Sequence, residues 1–475
     1  METPFDKLGE ECGIFGGYCT VGDAAPYIRS GLFKLQHRGQ ESAGMSTGDV
    51  NQTLHKAKGL VTEVLTDTAM QKLSGAFGIG HVRYSIHGGT SSVNAQPYLI
   101  NYLDECVSIA NNGNIKKAAK IRKKFECIGE VFITNSDSEV VLKRIVYGLK
   151  KPPSEWTFEE VAACINKDFS KGSFSLLLCL PEKIFAYRDP LGYRPLVFCE
   201  AKQGYFLASE DVAFSMLDVI NITEIKPGEG VEITRRGWKI QRYAESGCEK
   251  KCVFEHIYFA NPASNIFGRN VYQTRVELGK HLARNDVVKP DIVVPVMDSG
   301  FSAAIGYSQE SGVPLEMGLL RNHWVGRSFI QPTRESRIKK VREKLLPIKS
   351  VLEGKIVALI DDSLVRGTTS IEIINMLKSV GVKEVHFRLS SPMILNTCDW
   401  GVDIPTKEEL IATKFNGEVE IARAIGADSV GYLGFSTLKE IFGSEGWCYK
   451  CFKADKAGTK GFCENECEKC LGCGV

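Results

Sequence analysis

Residues 356–370 read Ile356-Val-Ala-Leu-Ile-Asp-Asp-Ser-Leu-Val-Arg-Gly-Thr-Thr-Ser370. Five consecutive apolar residues have the length and β-branched content of a strand buried on both faces. Asp361 and Asp362 stand where that strand must end. Gly367, Thr368, Thr369 and Ser370 then lead into a helix with apolar positions Ile373, Ile374, Leu377 and Val380. In a parallel sheet, ligands bind outside the carboxyl ends of the strands. The first helical turn and its hydroxyls offer N–H and O–H donors to a phosphate. Paired carboxylates suit two vicinal ribose hydroxyls, or Mg2+ held through oxygen ligands. The plainer alternative is a solvated acidic turn, and the donors that follow at once weigh against it.

The neighbouring segments repeat the pattern. Asp291-Ile-Val-Val-Pro-Val, residues 302–308 and residues 313–320 alternate strand, helix and strand, and Glu384-Val-His-Phe-Arg-Leu follows the 370–380 helix. Beyond about residue 250 this predicts a parallel, doubly wound sheet. The first half has a different texture. Phe77-Gly-Ile-Gly-His-Val-Arg-Tyr, Ser173-Phe-Ser-Leu-Leu-Leu-Cys-Leu and Lys183-Ile-Phe-Ala-Tyr-Arg read as strands, with helices predicted over 138–147 and 157–166. That combination implies layered sheets with helices outside. A polar segment, 237–251, is the expected boundary.

The first half also carries an ordered set of polar motifs. Glu10-Glu-Cys-Gly-Ile-Phe-Gly-Gly places Cys12 beside small residues, and a buried small hydrophobe is its bland interpretation. Four further groups change the odds: Leu35-Gln-His-Arg-Gly-Gln-Glu-Ser-Ala-Gly; His81-Val-Arg-Tyr-Ser; Asn94-Ala-Gln-Pro-Tyr with Asn111-Asn-Gly-Asn; and Asn135-Ser-Asp-Ser-Glu. Taken in order they resemble the glutamine-hydrolysing domain of the N-terminal-nucleophile amidotransferases. The resemblance implies that residues 1–11 are a leader removed on maturation, leaving Cys12 as the N-terminus of a glutaminase domain over 12–240. A free α-amino group, with a reference pKa of ~7.7–8.0, can act as base toward the thiol, whereas an amide nitrogen cannot. By the same resemblance, the Asn112 amide and the Gly113 N–H form the oxyanion hole. Arg83 takes the substrate α-carboxylate and Asp137 its α-ammonium.

The 356–370 stretch resembles the phosphoribosylpyrophosphate (PRPP) motif of type I phosphoribosyltransferases. That implies a transferase domain over 251–452, with Asp361, Asp362, Ser363, Arg366, Gly367, Thr368, Thr369 and Ser370 as PRPP contacts. Pro295-Val-Met-Asp-Ser-Gly resembles the pyrophosphate loop, making Ser299 a third Mg2+-site residue beside Asp361 and Asp362. Residues 321–333 resemble the loop that closes over substrate, and a basic run, 337–344, follows. The two halves in one chain resemble the glutamine PRPP amidotransferase family. The expected fold is α/β in two domains: an N-terminal-nucleophile αββα sandwich followed by a type I phosphoribosyltransferase doubly wound parallel sheet. The expected reaction hydrolyses glutamine at Cys12 and delivers ammonia to C1 of PRPP. It gives 5-phosphoribosylamine, glutamate and pyrophosphate, the first step of de novo purine (IMP) biosynthesis. Tyr258, in Phe254-Glu-His-Ile-Tyr-Phe-Ala, is implied to couple the two half-reactions.

Sixteen cysteines are many for a chain that begins without a secretory signal. In a reducing cytoplasm, the expected location, they are more often buried, catalytic or metal-bound than disulfide-paired. Some members of the family hold a [4Fe–4S] cluster, and the matching positions are Cys252, Cys398, Cys448 and Cys451. Cys463, Cys467, Cys470 and Cys473, in the 453–475 tail, form a second set with three readings: a second cluster, zinc, or a disordered tail. With 59 Lys+Arg against 57 Asp+Glu the net charge is +2, so no global basic field favours nucleic acid. No apolar run approaches the ~18–20 residues of a membrane span. The family suggests a homotetramer or dimer and purine nucleotides as inhibitors. Two other classes compete. One is a PRPP-sensing regulator without turnover, disfavoured by the intact Cys12, Arg83 and Asp137 set. The other is an amidotransferase serving a different sugar phosphate or acid, disfavoured by the Asp-Asp-Ser cradle.

Overall fold

The apolar runs of the first half form two antiparallel sheets. A computed structural model of the chain describes residues 12–84, 92–322 and 341–453. The leader (1–11), most of the loop and basic run between 321 and 344, and the C-terminal cysteines from Cys463 onward lie outside them. A seven-stranded sheet has Gly13–Cys19 at its interior, flanked by Phe77–Arg83 and Gly204–Ala208. A six-stranded sheet runs from Gly237–Arg242 through Glu229–Thr234, Lys183–Arg188, Ser173–Leu180 and Glu105–Asn114 to Tyr98–Tyr102. Gly237–Arg242 is the first stretch of the polar segment that ends this half.

Period-two alternation sorts the strand residues into layers. Ile14, Ile79, Leu177, Ile184, Ala186 and Val231 meet between the sheets. Phe15, Met45 and Val82 face outward onto Ile28 and Leu32 of helix Ala25–Lys34. Leu176, Leu178 and Phe185 face outward onto Val141, Ile145, Val161 and Ile165 of helices Asp137–Leu149 and Phe158–Phe169. Both faces of Ser173–Leu180 are therefore buried, which is why that strand reads as continuously apolar. The result is the αββα order.

The second half is a four-stranded parallel sheet in the order Ile292–Pro295, Ile356–Asp361, Glu384–Leu389, Ser429–Tyr432. Val293, Ala358 and Ile360 pack on one face against helices Val271–Arg284 and Phe301–Ser311. Val294, Val357 and Leu359 pack on the other against helix Thr368–Ser379. Residues 313–320 depart from the expected strand. They form one isolated bridge, Leu315 to Val293, and only Leu319–Arg321 pairs further, with Leu345–Pro347. Pro314 and Gly318 interrupt the stretch: proline lacks the donor a ladder needs, and glycine weakens a strand.

Helices Val271–Arg284 and Phe301–Ser311 approach backbone to backbone at two glycines. A Cβ on Gly279 would strike the Ala303 carbonyl, and one on Gly306 the Val276 carbonyl. This approach seats the helix bearing Arg275 beside the loop that follows Ile292–Pro295. Gly279→Ala should cost about 1–3 kcal/mol, the usual range for forced overpacking. Denaturant unfolding checks it, with a lowered midpoint at unchanged slope as the expected result.

Candidate active sites and family

Cys12 directly precedes strand Gly13–Cys19, whose neighbour Phe77–Arg83 pairs Val82 with Gly13 and so brings Arg83 alongside the thiol. The Cys12 Sγ donates to the Tyr84 carbonyl at 3.8 Å. Burial pushes the thiol pKa up; Arg83 and Arg38 pull it down and Asp137 raises it further, so all three charges lie within electrostatic range. Asp137 starts helix Asp137–Leu149, with Ser136 as the cap residue. Its Oδ2 accepts from the Ile115 N–H at 2.9 Å, and burial pushes its carboxyl up as well.

Asn112 and Gly113 sit near the end of strand Glu105–Asn114. Asn112 Nδ2 donates to Ser209 Oγ at 3.5 Å, and the same oxygen accepts from Ile14 N–H at 3.1 Å. Gly113 has φ +142°, and a Cβ there would run into the Ser173 carbonyl. The sequence reading missed Glu41, although it lies in the quoted Gln-His-Arg-Gly-Gln-Glu loop. Its carboxylate stands 3.4 Å from Arg83, the residue expected to take the substrate carboxylate. It also missed Arg38, Glu210, Glu255, Arg194 and Arg275, which are buried.

The acidic turn closes strand Ile356–Asp361 as expected. Asp361, Asp362 and Ser363 are all buried. Ser299 Oγ donates to Asp361 Oδ1 at 2.8 Å, and Ser363 Oγ to Asp362 Oδ2 at 2.6 Å. The Asp362 N–H donates to Asp361 Oδ1 at 2.9 Å. Gly367, at φ +91°, turns the chain into helix Thr368–Ser379, so Thr368, Thr369 and Ser370 occupy its first turn. Arg366 Nε is 3.1 Å from Glu409. Burial lowers the Arg275 pKa to about 10, and Asp362 is the largest influence holding it up. Tyr258 lies in the π-helical turn Glu255–Phe259 and packs against the second-half core.

The four cysteines converge. Cys252 and Cys448 are register partners where Lys250–Cys252 pairs in parallel with Gly446–Cys448. The Cys451 carbonyl accepts from Leu395 and Asn396 N–H groups at 2.8 and 3.1 Å, close to Cys398 in the chain. Burial pushes the Cys448 thiol up to about 11, with Cys398 adding repulsion. Cys451 is raised by burial and by all three other thiols. Among the described residues, no group of three or more His, Cys, Asp or Glu side chains is arranged to hold a single metal ion. Cys248 is exposed; Cys106 and Cys179 are core residues, and Cys164 is half-buried.

The profile of a family described as "Glutamine amidotransferase domain" matches residues 81–216. Amidophosphoribosyltransferase from Methanocaldococcus jannaschii is 41% identical over 460 residues, covering 93% of this chain and 96% of that protein. Amidophosphoribosyltransferase 1, chloroplastic, from Arabidopsis thaliana is 41% identical over 466 residues, covering 95% of this chain and 81% of the relative. The chain belongs to the amidophosphoribosyltransferase family. Such an enzyme is a glutamine amidotransferase joined to a pentosyltransferase, and the two halves of the structure are those two parts. The glutamine PRPP amidotransferase of B. subtilis, solved with ADP and GMP, superposes with a TM-score of 0.83 at 38% identity, covering 93% of this chain and 96% of that one. Among the described residues, no helix is long and apolar enough to cross a membrane.

Two buried histidines set an acid limit for this amidophosphoribosyltransferase fold. His81 lies two residues before Arg83, and burial followed by the Arg83 charge lowers its pKa from 6.5 to about 3. His256 is lowered to about 3 by burial and then by Arg275. Both pKa values are below those of the unfolded chain, so between about pH 6.5 and 3 the unfolded state binds the extra protons. Stability should therefore fall as the pH drops through that window. Melting temperatures at pH 7.5, 6 and 5 check this, and His256→Gln should flatten the slope.

Proposed function

We propose that Cys12 carries the glutaminase half-reaction and that the 361–370 turn carries ribosyl transfer. The observation that supports the first most directly is the electrostatic meeting of the Cys12 thiol with Arg83 and Asp137, which arrive from separate strands and helices. Arg83 would bind the glutamine α-carboxylate, exchanging its contact with Glu41 for it, and Asp137 the α-ammonium. Removal of residues 1–11 would free the α-amino group as base for a thiol that burial keeps protonated. The thiolate attacks the side-chain amide carbon. Asn112 Nδ2 and the Gly113 N–H stabilise the oxyanion, and collapse expels ammonia and leaves a thioester that water hydrolyses to glutamate. Ammonia then attacks C1 of PRPP and pyrophosphate leaves, giving 5-phosphoribosylamine.

At the transferase end, Asp361 and Asp362 would hold the ribose hydroxyls, while Ser363, Arg366, Gly367, Thr368, Thr369 and Ser370 hold the 5′-phosphate. Ser299, Asp361 and Asp362 are an all-oxygen set that suits Mg2+. When bound, the ion neutralises charge on the leaving pyrophosphate. Tyr258 would couple the two ends. Purine nucleotides are proposed as inhibitors, in keeping with the ADP and GMP bound to the B. subtilis enzyme. The proposed assembly is a homotetramer or dimer in the cytoplasm; the plant relatives are named as chloroplastic. Cys12→Ala should abolish synthesis from glutamine and keep synthesis from ammonia. Equal loss of both would contradict this division of labour.

Cys252, Cys398, Cys448 and Cys451 are proposed as [4Fe–4S] ligands. Four thiols from three distant segments converge, and their burial without a cation is unfavourable for thiolates. Four thiolates are the ligand number such a cluster would take. Anaerobically purified protein should contain roughly four irons per chain. Cys252→Ser should lose that iron, as read by metal and sulfide analysis.

A further inference from the structure

Behind Cys12 lies an arginine that both halves of the chain neutralise. Arg38 Nε donates to the Cys12 carbonyl at 3.1 Å. Arg38 Nη1 donates to Glu210 Oε1 at 2.6 Å and to Glu255 Oε2 at 2.9 Å, and Nη2 donates to Glu255 Oε1 at 2.8 Å. All three side chains are 0% exposed. Glu210 follows strand Gly204–Ala208 in the glutaminase half, whereas Glu255 opens the turn Glu255–Phe259 at the start of the transferase half. The second Glu210 oxygen accepts from Asn261 N–H at 2.8 Å and Ser264 Oγ at 2.6 Å, again from the transferase half.

We propose that Glu255 is a positioning residue for the glutaminase nucleophile, contributed by the transferase half. The inference rests on the reading of Cys12 as the nucleophile. A residue that becomes a chain terminus has no upstream peptide to orient it, so the contact on its carbonyl carries unusual weight. A guanidinium is planar, and its donors point in fixed directions. Glu255 grips Arg38 in bidentate fashion, which aims Nε at the Cys12 carbonyl. Without the Glu255 carboxylate Arg38 keeps Glu210 on Nη1 but loses the bidentate hold that fixes the plane of its guanidinium, so Nε no longer aims at the Cys12 carbonyl. On the other side of the same turn, the His256 carbonyl accepts from Arg275 Nε at 2.8 Å, and Arg275 senses the charge of Asp362. One short turn thus touches the nucleophile's arginine and the arginine beside the PRPP cradle.

Steady-state kinetics on full-length Glu255→Gln, Glu255→Asp and Cys12→Ala test this. Glutamine at 255 keeps the shape and removes the charge. The expected result is a fall of about 100-fold in kcat with glutamine, the scale of a misplaced reacting group. KM for glutamine and turnover with ammonia should stay within about two-fold, the pattern of a lost transition-state alignment. Glu255→Asp, with its carboxylate drawn back by one methylene, should fall less and in the same glutamine-specific way. It decides the matter if Glu255→Gln does not fold. Equal loss with glutamine and ammonia would mean that Glu255 only joins the halves, and would overturn the proposal, as would unchanged turnover with glutamine. If Cys12→Ala retains glutamine-dependent turnover, the nucleophile assignment fails whatever Glu255 does. If it loses that turnover while Glu255→Gln matches the parent, the Glu255 proposal alone fails.

Discussion

A guanidinium with no access to water must be neutralised where it sits, and Arg38 is neutralised by one carboxylate from each half of the chain. The cluster is fully dry, so its members cannot trade partners for solvent. Breaking one such pair leaves an uncompensated buried charge at a cost of about 3–5 kcal/mol. That is a large share of the net stability of a typical domain. The halves therefore stay docked with the start of strand Gly13–Cys19 at their seam. The same constraint explains why Arg38 stays charged in a dry interior: Glu255 and Glu210 hold its pKa above the ordinary value.

The transferase site was legible because its chemistry is local. Strand, acidic pair, glycine and hydroxyl residues run consecutively, so the turn was visible in one stretch of chain; Ser299 and Glu409 reach it from distant segments. Helices 138–147 and 157–166 were legible for a similar reason. Ser136 and Thr157 mark their starts, and the apolar period fills their length. The glutaminase site was not local. Cys12, Arg83, Asn112 and Asp137 were proposed through a family resemblance, because nothing in their individual neighbourhoods distinguishes a nucleophile from a buried thiol.

The Arg38 cluster was illegible altogether. Its partners stand 172 and 217 residues away, and a glutamate before Asp211 or before His256 looks like an ordinary surface charge. Glu41 was missed in the same way: like Arg38 and Glu255 it sat in a quoted motif, and only the fold shows that its carboxylate faces Arg83. Residues 313–320 show where apolar content misled: the composition is that of a strand, but Pro314 and Gly318 break the ladder.

The loop that follows Cys398 extends this logic from charges to packing. Trp400 stacks on Tyr193 with ring centroids 4.6 Å apart, and Lys116 lies over its ring at 4.4 Å. Arg194 Nη2 donates to the Trp400 carbonyl at 2.7 Å, and Asn114 Nδ2 donates to the Asp399 carbonyl at 3.1 Å. Asn114 is two residues past Asn112 on the same strand. Thus the transferase half braces the glutaminase half at two points, one behind Cys12 and one beside Asn112 and Gly113. Both halves of a covalent mechanism need fixing, the attacking atom and the donors that receive the developing charge, since donors aimed in advance cost no reorganisation during reaction. In the proposed mechanism such a glutaminase is not a self-contained module: contacts from the second half complete the surroundings of Cys12 and of Asn112 and Gly113.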